Sequence, residues 1–121
     1  MSDVAPFQII VKNVSSKAEY DQNTQTQWYN WAIHLESDPP SAVEKNVDHV
    51  VYYLHSTYPE NKIRVDKNIP KFKLVSRGWG EFIIKIDIFI GDKKKEIEHY
   101  LSLSEQISTS TDFIDPNQLT S

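Results

Sequence analysis

The residues with the most chemistry to offer lie in two short stretches, His55-Ser56-Thr57-Tyr58 and Gly78-Trp79-Gly80-Glu81-Phe82. The first closes an apolar run and the second opens another, so two aromatic-bearing loops can meet at one edge of a sheet. Histidine beside serine invites a hydrolase reading. There is no G-x-S-x-G turn, however, and neighbouring residues on a strand point to opposite sides, which places His55 and Ser56 badly as a base and nucleophile pair. His34, His49, His55 and His99 fall on different expected strands without H-x-x-x-H or H-x-H spacing, a poor pattern for a metal centre. Gly78 and Gly80 lack the third glycine and the following helix of a dinucleotide loop. No catalytic residue, metal or cofactor is expected, and each histidine reads first as a packed or exposed structural side chain.

What remains is an aromatic binding site. Tyr58 follows a strand end and Trp79 sits between two glycines before a strand, positions where core packing has little claim on either ring. Gly78 and Gly80 let the backbone near Trp79 approach a ligand and expose its N–H groups. Thr57 adds a hydroxyl that both donates and accepts, and the His55 ring can orient it. Such a set suits a flat, neutral, hydrogen-bonding group. A methyl-lysine cation would prefer a closed aromatic box with a carboxylate, and only Glu81 is near. An acylated lysine has lost its charge and gained a planar amide whose carbonyl takes an N–H and whose N–H meets a hydroxyl. The same Trp placement also fits a structural lid over the core, and spacing alone leaves both readings open.

The elements that must hold these loops read as strands. At 121 residues the chain suits one domain with a single core. Hydrophobic residues at 39% and charged residues at 25% are ordinary for a globular domain, and no apolar run has the length to cross a bilayer. The first residues, MSDVAPFQIIVKN, lack the pattern of a secretory leader, and zero cysteines exclude disulfides and thiolate chemistry. With 13 basic against 17 acidic residues the net charge is −4, which disfavours phosphate backbones and favours basic partners. Phe7 to Val14 alternates as a strand, the chain turns polar from Asn13 to Asn23, and SSKAEYDQNTQTQ, residues 15–27, reads as a long loop. Trp28 to Leu35 and Val47 to His55 alternate again, Ile63-Arg64-Val65 is a short edge, and Phe72 and Leu74 share a face of KFKLVS. Phe82 to Ile90 is the clearest strand, the three lysines after Gly91-Asp92 read as a solvated turn, and Lys95 to Ser104 follows. About seven to eight short strands, no helical stripe and no repeat argue for an all-β, immunoglobulin-like antiparallel sandwich. The domain is expected over residues 1–104, with 105–121 a polar tail, either a last edge segment or disordered.

Taken together, Leu54-His55-Ser56-Thr57-Tyr58, Ile69-Pro70-Lys71-Phe72, Gly78-Trp79-Gly80-Glu81-Phe82 and the closing His99, Leu101 and Leu103 resemble the YEATS domain. The resemblance reaches back to Trp31 and spans Phe7 to Ser104. It implies a non-enzymatic reader of acetyl- or crotonyl-lysine on histone tails, working in the nucleus among the subunits of a chromatin-modifying or transcription complex. By motif position, Tyr58 and Trp79 would sandwich the acyl amide, Thr57 would hydrogen-bond it and His55 would support the pocket. The backbone from Gly78 through Trp79 to Gly80 would receive the acyl carbonyl. Phe82 would line the floor or serve the core face alone. The sequence departs from the family twice. Where members often carry a His or aromatic before the strand Trp, this chain has Gln27-Trp28-Tyr29-Asn30, which makes Trp28 the candidate third wall. Tyr100 stands where some members have an acid that pairs with an arginine beside the acyl-lysine. Sequence-specific nucleic acid binding and membrane partners are not expected. The competing reading is a sandwich that serves only as a protein–protein scaffold.

Overall fold

The computed structural model describes residues 5–119. The strands are β1 (Phe7–Asp21), β2 (Thr26–Asp38), β3 (His49–Tyr53), β4 (Lys62–Asp66), β5 (Leu74–Gly78), β6 (Phe82–Ile90), β7 (Lys93–Leu101) and β8 (Ile107–Ile114), with one short helix, α1 (Ala42–Asn46), between β2 and β3. They form two antiparallel four-stranded sheets, one in the order β5-β2-β1-β8 and the other β4-β3-β6-β7. This is the β-sandwich expected from the alternation. The core-facing residues of β6, Ile84, Ile86 and Ile88, are fully buried, as are Ile9, Val11, Ile33 and Leu35 from the facing sheet. Each such side chain contributes roughly 1.5–3 kcal/mol of burial free energy, so the period-2 pattern fixes which face of each strand turns inward.

Several local expectations are corrected. The long loop expected over residues 15–27 is instead mostly strand: β1 continues to Asp21 and β2 starts at Thr26, with Ser15 opposite Trp31 and a register shift between Lys17 and Tyr20. Asn13 and Ser15 are buried polar residues, satisfied by the Ser102 carbonyl at 3.0 Å and the Glu105 carbonyl at 3.0 Å. Phe72 is buried, but in a 3-10 turn over Pro70–Phe72 rather than in a strand with Leu74. The three lysines start β7 and do not form the turn; Lys93 pairs with Ile90, and the turn itself is left to Gly91-Asp92, with Gly91 at φ +62°. Ile107–Ile114 is an edge strand laid along β1, with Ile114 opposite Phe7 and both buried.

Between the sheets sits a polar bridge. His99 on β7 is fully buried, its Nε2 2.7 Å from Asn13 Oδ1 and its Nδ1 2.6 Å from Ser110 Oγ. The Asn13 amide nitrogen donates to the Ser102 carbonyl, so Oδ1 must face the ring, Nε2 carries the proton and Nδ1 accepts from the serine hydroxyl. Burial disfavours the imidazolium and pushes the His99 pKa down to about 4.

Candidate functional site

The loop after β3 and the loop between β5 and β6 meet at one end of the sandwich. Leu54, buried and donating its N–H to the Asn61 carbonyl at 2.8 Å, anchors the first loop. Beyond it the chain turns, with the Tyr58 N–H on the His55 carbonyl at 3.0 Å. His55 Nδ1 lies 3.2 Å from the Thr57 amide nitrogen and 3.0 Å from its hydroxyl. An amide can only donate, so Nδ1 is the unprotonated ring nitrogen and the hydroxyl proton also turns toward it. The lone pairs of Thr57 Oγ then point away from the ring, free to accept a ligand N–H.

Tyr58 is held on three sides. Trp31 Nε1 donates to its hydroxyl at 3.3 Å, the Trp31 ring meets it edge-on at 6.4 Å and 77°, and Phe82 lies 5.6 Å away. Burial pushes its phenol pKa up. Gly78 is what admits this ring: a Cβ there would stand 2.2 Å from the Tyr58 hydroxyl oxygen. Its function is therefore steric, on the side of the strand facing Tyr58, and differs from the backbone exposure expected of it. A Cβ on Gly80 would meet nothing within 4 Å. Phe82 also touches Trp31 at 6.5 Å and His55 at 5.9 Å, which makes it a half-buried floor shared by cleft and core. Trp79 is the opposite of Trp31: 57% exposed against 2%. A single exposed ring is ordinary by itself, and what sets Trp79 apart is that it borders a concave site with other aromatic side chains. All eight residues singled out in the sequence, Trp28, His55, Thr57, Tyr58, Gly78, Trp79, Gly80 and Phe82, line one open cleft of about 220 Å³.

Residues 26–105 match the model of the YEATS family. The chain belongs to that family. Among curated relatives, the Protein AF-9 homolog of Kluyveromyces lactis is 35% identical over 85 residues, which is 67% of this chain and 38% of that protein. Transcription initiation factor TFIID subunit 14 of Schizosaccharomyces pombe is 36% identical over 81 residues, or 63% and 33% of the two chains. The chain thus spans well under half the length of these relatives. The Yaf9 YEATS domain bound to H3K27ac superposes with a TM-score of 0.75 at 25% identity, covering 98% of this chain and 92% of that one.

Pro59, Glu81 and Arg77 of this YEATS domain also line the cleft, and the sequence alone ranks none of them as a site residue. Glu81, at its rim, accepts from the amides of Leu103 at 2.6 Å and Ser104 at 3.0 Å and from the Tyr100 hydroxyl at 2.7 Å. Chiefly through the Ser104 amide, then Tyr100 and the Leu103 amide, its carboxyl is pulled down to about 2. It ties the Trp79 loop to the end of β7, and Tyr100, the departure from the family pattern, is one of its donors. The signal that could have found it is the GWGEF motif itself, where an acid stands beside an otherwise apolar and glycine segment. Arg77 lines the opposite wall, its guanidinium carbon 4.7 Å from the Trp28 ring centroid, and pairs with the Glu19 carboxylate. In the sequence it falls at the end of the Pro59 to Arg77 spacer between the two motifs. Among the described residues, no group of three or more His, Asp or Glu is placed to hold a metal ion, and no helix is long and apolar enough to cross a membrane.

Proposed function

We propose that this YEATS domain is a non-enzymatic reader of acylated lysine, acetyl or crotonyl, on histone tails. The reading is carried by one observation: the preset His55 and Thr57 pair opens into a cleft between a rigidly held Tyr58 and an exposed Trp79. The amide plane of the acyl-lysine lies between the two rings, its N–H on Thr57 Oγ and its carbonyl toward the backbone amides at Trp79 and Gly80, which lie beyond the last β2–β5 pair, Tyr29 with Gly78. Phe82 closes the floor and Trp28 is the outer wall. Each aromatic contact adds about 0.5–1.5 kcal/mol beyond area burial. A flexible tail must be ordered in exchange, so affinity falls between micromolar and near millimolar.

A Thr–His pair could in principle serve as nucleophile and base. Here, none of the hydrogen bonds among the described residues joins His55 to a carboxylate that would orient it, which favours binding over turnover. The relative named as a transcription initiation factor TFIID subunit supports membership of a chromatin or transcription complex in the nucleus, where avidity from partner subunits would set targeting. Titration of acetylated, crotonylated and unmodified histone H3 tail peptides tests the reading. Saturable binding of the acylated peptides alone is expected, with no loss of the acyl group over hours. Equal affinity for the unmodified peptide would defeat it and leave the scaffold reading standing.

A further inference from the structure

The free edge of β8 differs from the other three edges of the sandwich. β4 carries Lys62, Arg64 and Asp66, β7 carries Lys93, Lys94, Lys95, Glu96 and Glu98, and β5 is five residues long with Arg77 among them. Charged side chains and short length keep exposed strand edges from pairing with other chains. β8 has neither protection: it runs for eight residues, Asp112 is its single charge, and it is rich in Ile, Thr and Phe, all strong strand formers.

Pairing with β1 decides which groups this edge presents. The Ser15 N–H bonds the Gln106 carbonyl at 3.0 Å, and bonding alternates along an antiparallel pair. Ser108, Ser110 and Asp112 therefore turn their main-chain groups toward β1, whereas Ile107, Thr109, Thr111 and Phe113 turn theirs to the open edge. Among the described residues only the Phe113 N–H has a partner there, the carboxylate of its neighbour Asp112 at 2.7 Å. The side chains of the same four residues lie on the outer face, where Ile107 and Phe113 are 57% and 61% exposed. Ile107 also ends an apolar row that crosses the sheet in register through Val75, Ala32 and Val14.

We propose that the β8 edge pairs antiparallel with β8 of a second copy of this chain, about a two-fold axis at Ser110. This register sets Ile107 opposite the second copy's Phe113 and Thr109 opposite its Thr111, and the symmetry repeats both pairs with the roles exchanged. Each outward residue then exchanges both main-chain bonds with the one facing it, and the apolar row runs on through the second copy's Phe113. Asp112 falls opposite the second copy's Ser108, whose hydroxyl can take the carboxylate as the Phe113 N–H joins the new ladder. Glu105 and Asp115 stay outside the paired segment. A shift of two residues either way, the smallest that keeps side chains on their faces, sets Phe113 against Glu105 or Ile107 against Asp115. The two β5 strands, each beside its own cleft, end up at opposite edges of one continuous sheet, roughly 30–35 Å apart, with both clefts open. Pairing through a single strand buries less than a standard interface, so the dimer is weak, with a dissociation constant of about 100 µM.

Sedimentation velocity of the chain from about 5 µM to about 1 mM tests this, and a reversible monomer–dimer equilibrium is expected. Ile107→Lys and Phe113→Glu, both at exposed positions, should keep the fold by circular dichroism and each weaken dimerisation at least about tenfold. Mixed one to one, the two variants should dimerise again, because the introduced lysine then faces the introduced glutamate while the other Ile–Phe pair is intact. Thr109→Pro removes an edge N–H that β1 does not use, so it should fold and remain monomeric. A chain that is monomeric throughout overturns the proposal and leaves the edge to another protein. A dimer that persists in both single variants, or a mixture no more associated than its components, overturns it equally.

Discussion

His55 and His99 each hold a hydroxyl partner on Nδ1, at 3.0 Å and 2.6 Å, yet they sit in opposite circumstances. His99 is sealed between the sheets, with Asn13 on its other nitrogen, so every polar atom in the bridge is spoken for. His55 lies exposed at the cleft, where its partner Thr57 keeps lone pairs that nothing among the described residues uses. A closed network contributes to the fold, whereas an open one offers a binding valence. The two tryptophans divide the same way: Trp31 is enclosed and orients Tyr58, while Trp79 faces water over the cleft.

The sharpest way to break this contrast is to delete each histidine in turn. His99→Ala removes a fully buried ring and strands Asn13 and Ser110, so chemical denaturation should show a loss of about 3–4 kcal/mol. His55→Ala should stay within about 0.5 kcal/mol of the parent while weakening acyl-peptide binding. Comparable destabilisation by both would erase the distinction.

The pH dependence of stability sharpens it further. Because the His99 pKa is depressed to about 4 in the folded chain, the unfolded chain binds the extra proton first as pH falls below about 6.5. The stabilisation is complete above 6.5 and is lost progressively down to about 4, a decline of roughly 3 kcal/mol across that window. Glu81, depressed to about 2, contributes fully above 4.5 and is lost progressively from there down to 2, so the decline between 6.5 and 4.5 belongs to His99 alone of the two. Urea midpoints at pH 7, 5.5 and 4 should follow this course, and His99→Gln should flatten it.

Smaller effects separate the two cleft glycines. Gly78→Ala drives a methyl into the Tyr58 hydroxyl and should cost about 1–3 kcal/mol, with Tyr58 displaced and acyl binding weakened. Gly80→Ala meets open space and should change stability by no more than about 0.5 kcal/mol. Thermal melts of the pair give the order directly.

Most of the sandwich was legible because its inward faces alternate cleanly, Phe82 to Ile90 above all. The cleft was legible because its aromatic and hydroxyl residues come in two contiguous motifs. What escaped had partners without a sequence signature. β1 runs on through Asn13 and Ser15 because distant backbone carbonyls satisfy them, and carbonyls are the same whatever the residue. Glu81 escaped for the same reason, since two of its three donors are backbone amides. Arg77 acquires its meaning only when β5 pairs with β2, with Arg77 opposite Asn30, and so brings it beside Trp28. The spacing of Phe72 from Leu74 suits a strand, whereas the Pro70 turn holds Phe72 at φ 52°.

The central claim, that the cleft and not the interior bridge is the working site, is tested most directly by NMR titration with a crotonylated H3 peptide. The Trp79 indole N–H, the Thr57 amide and the Gly80 amide should shift in a saturable manner, while the His99 and Asn13 signals stay fixed, and Trp79→Ala should abolish the shifts while the folded spectrum persists. Shifts reproduced by the unmodified peptide, or retained in Trp79→Ala, would contradict it.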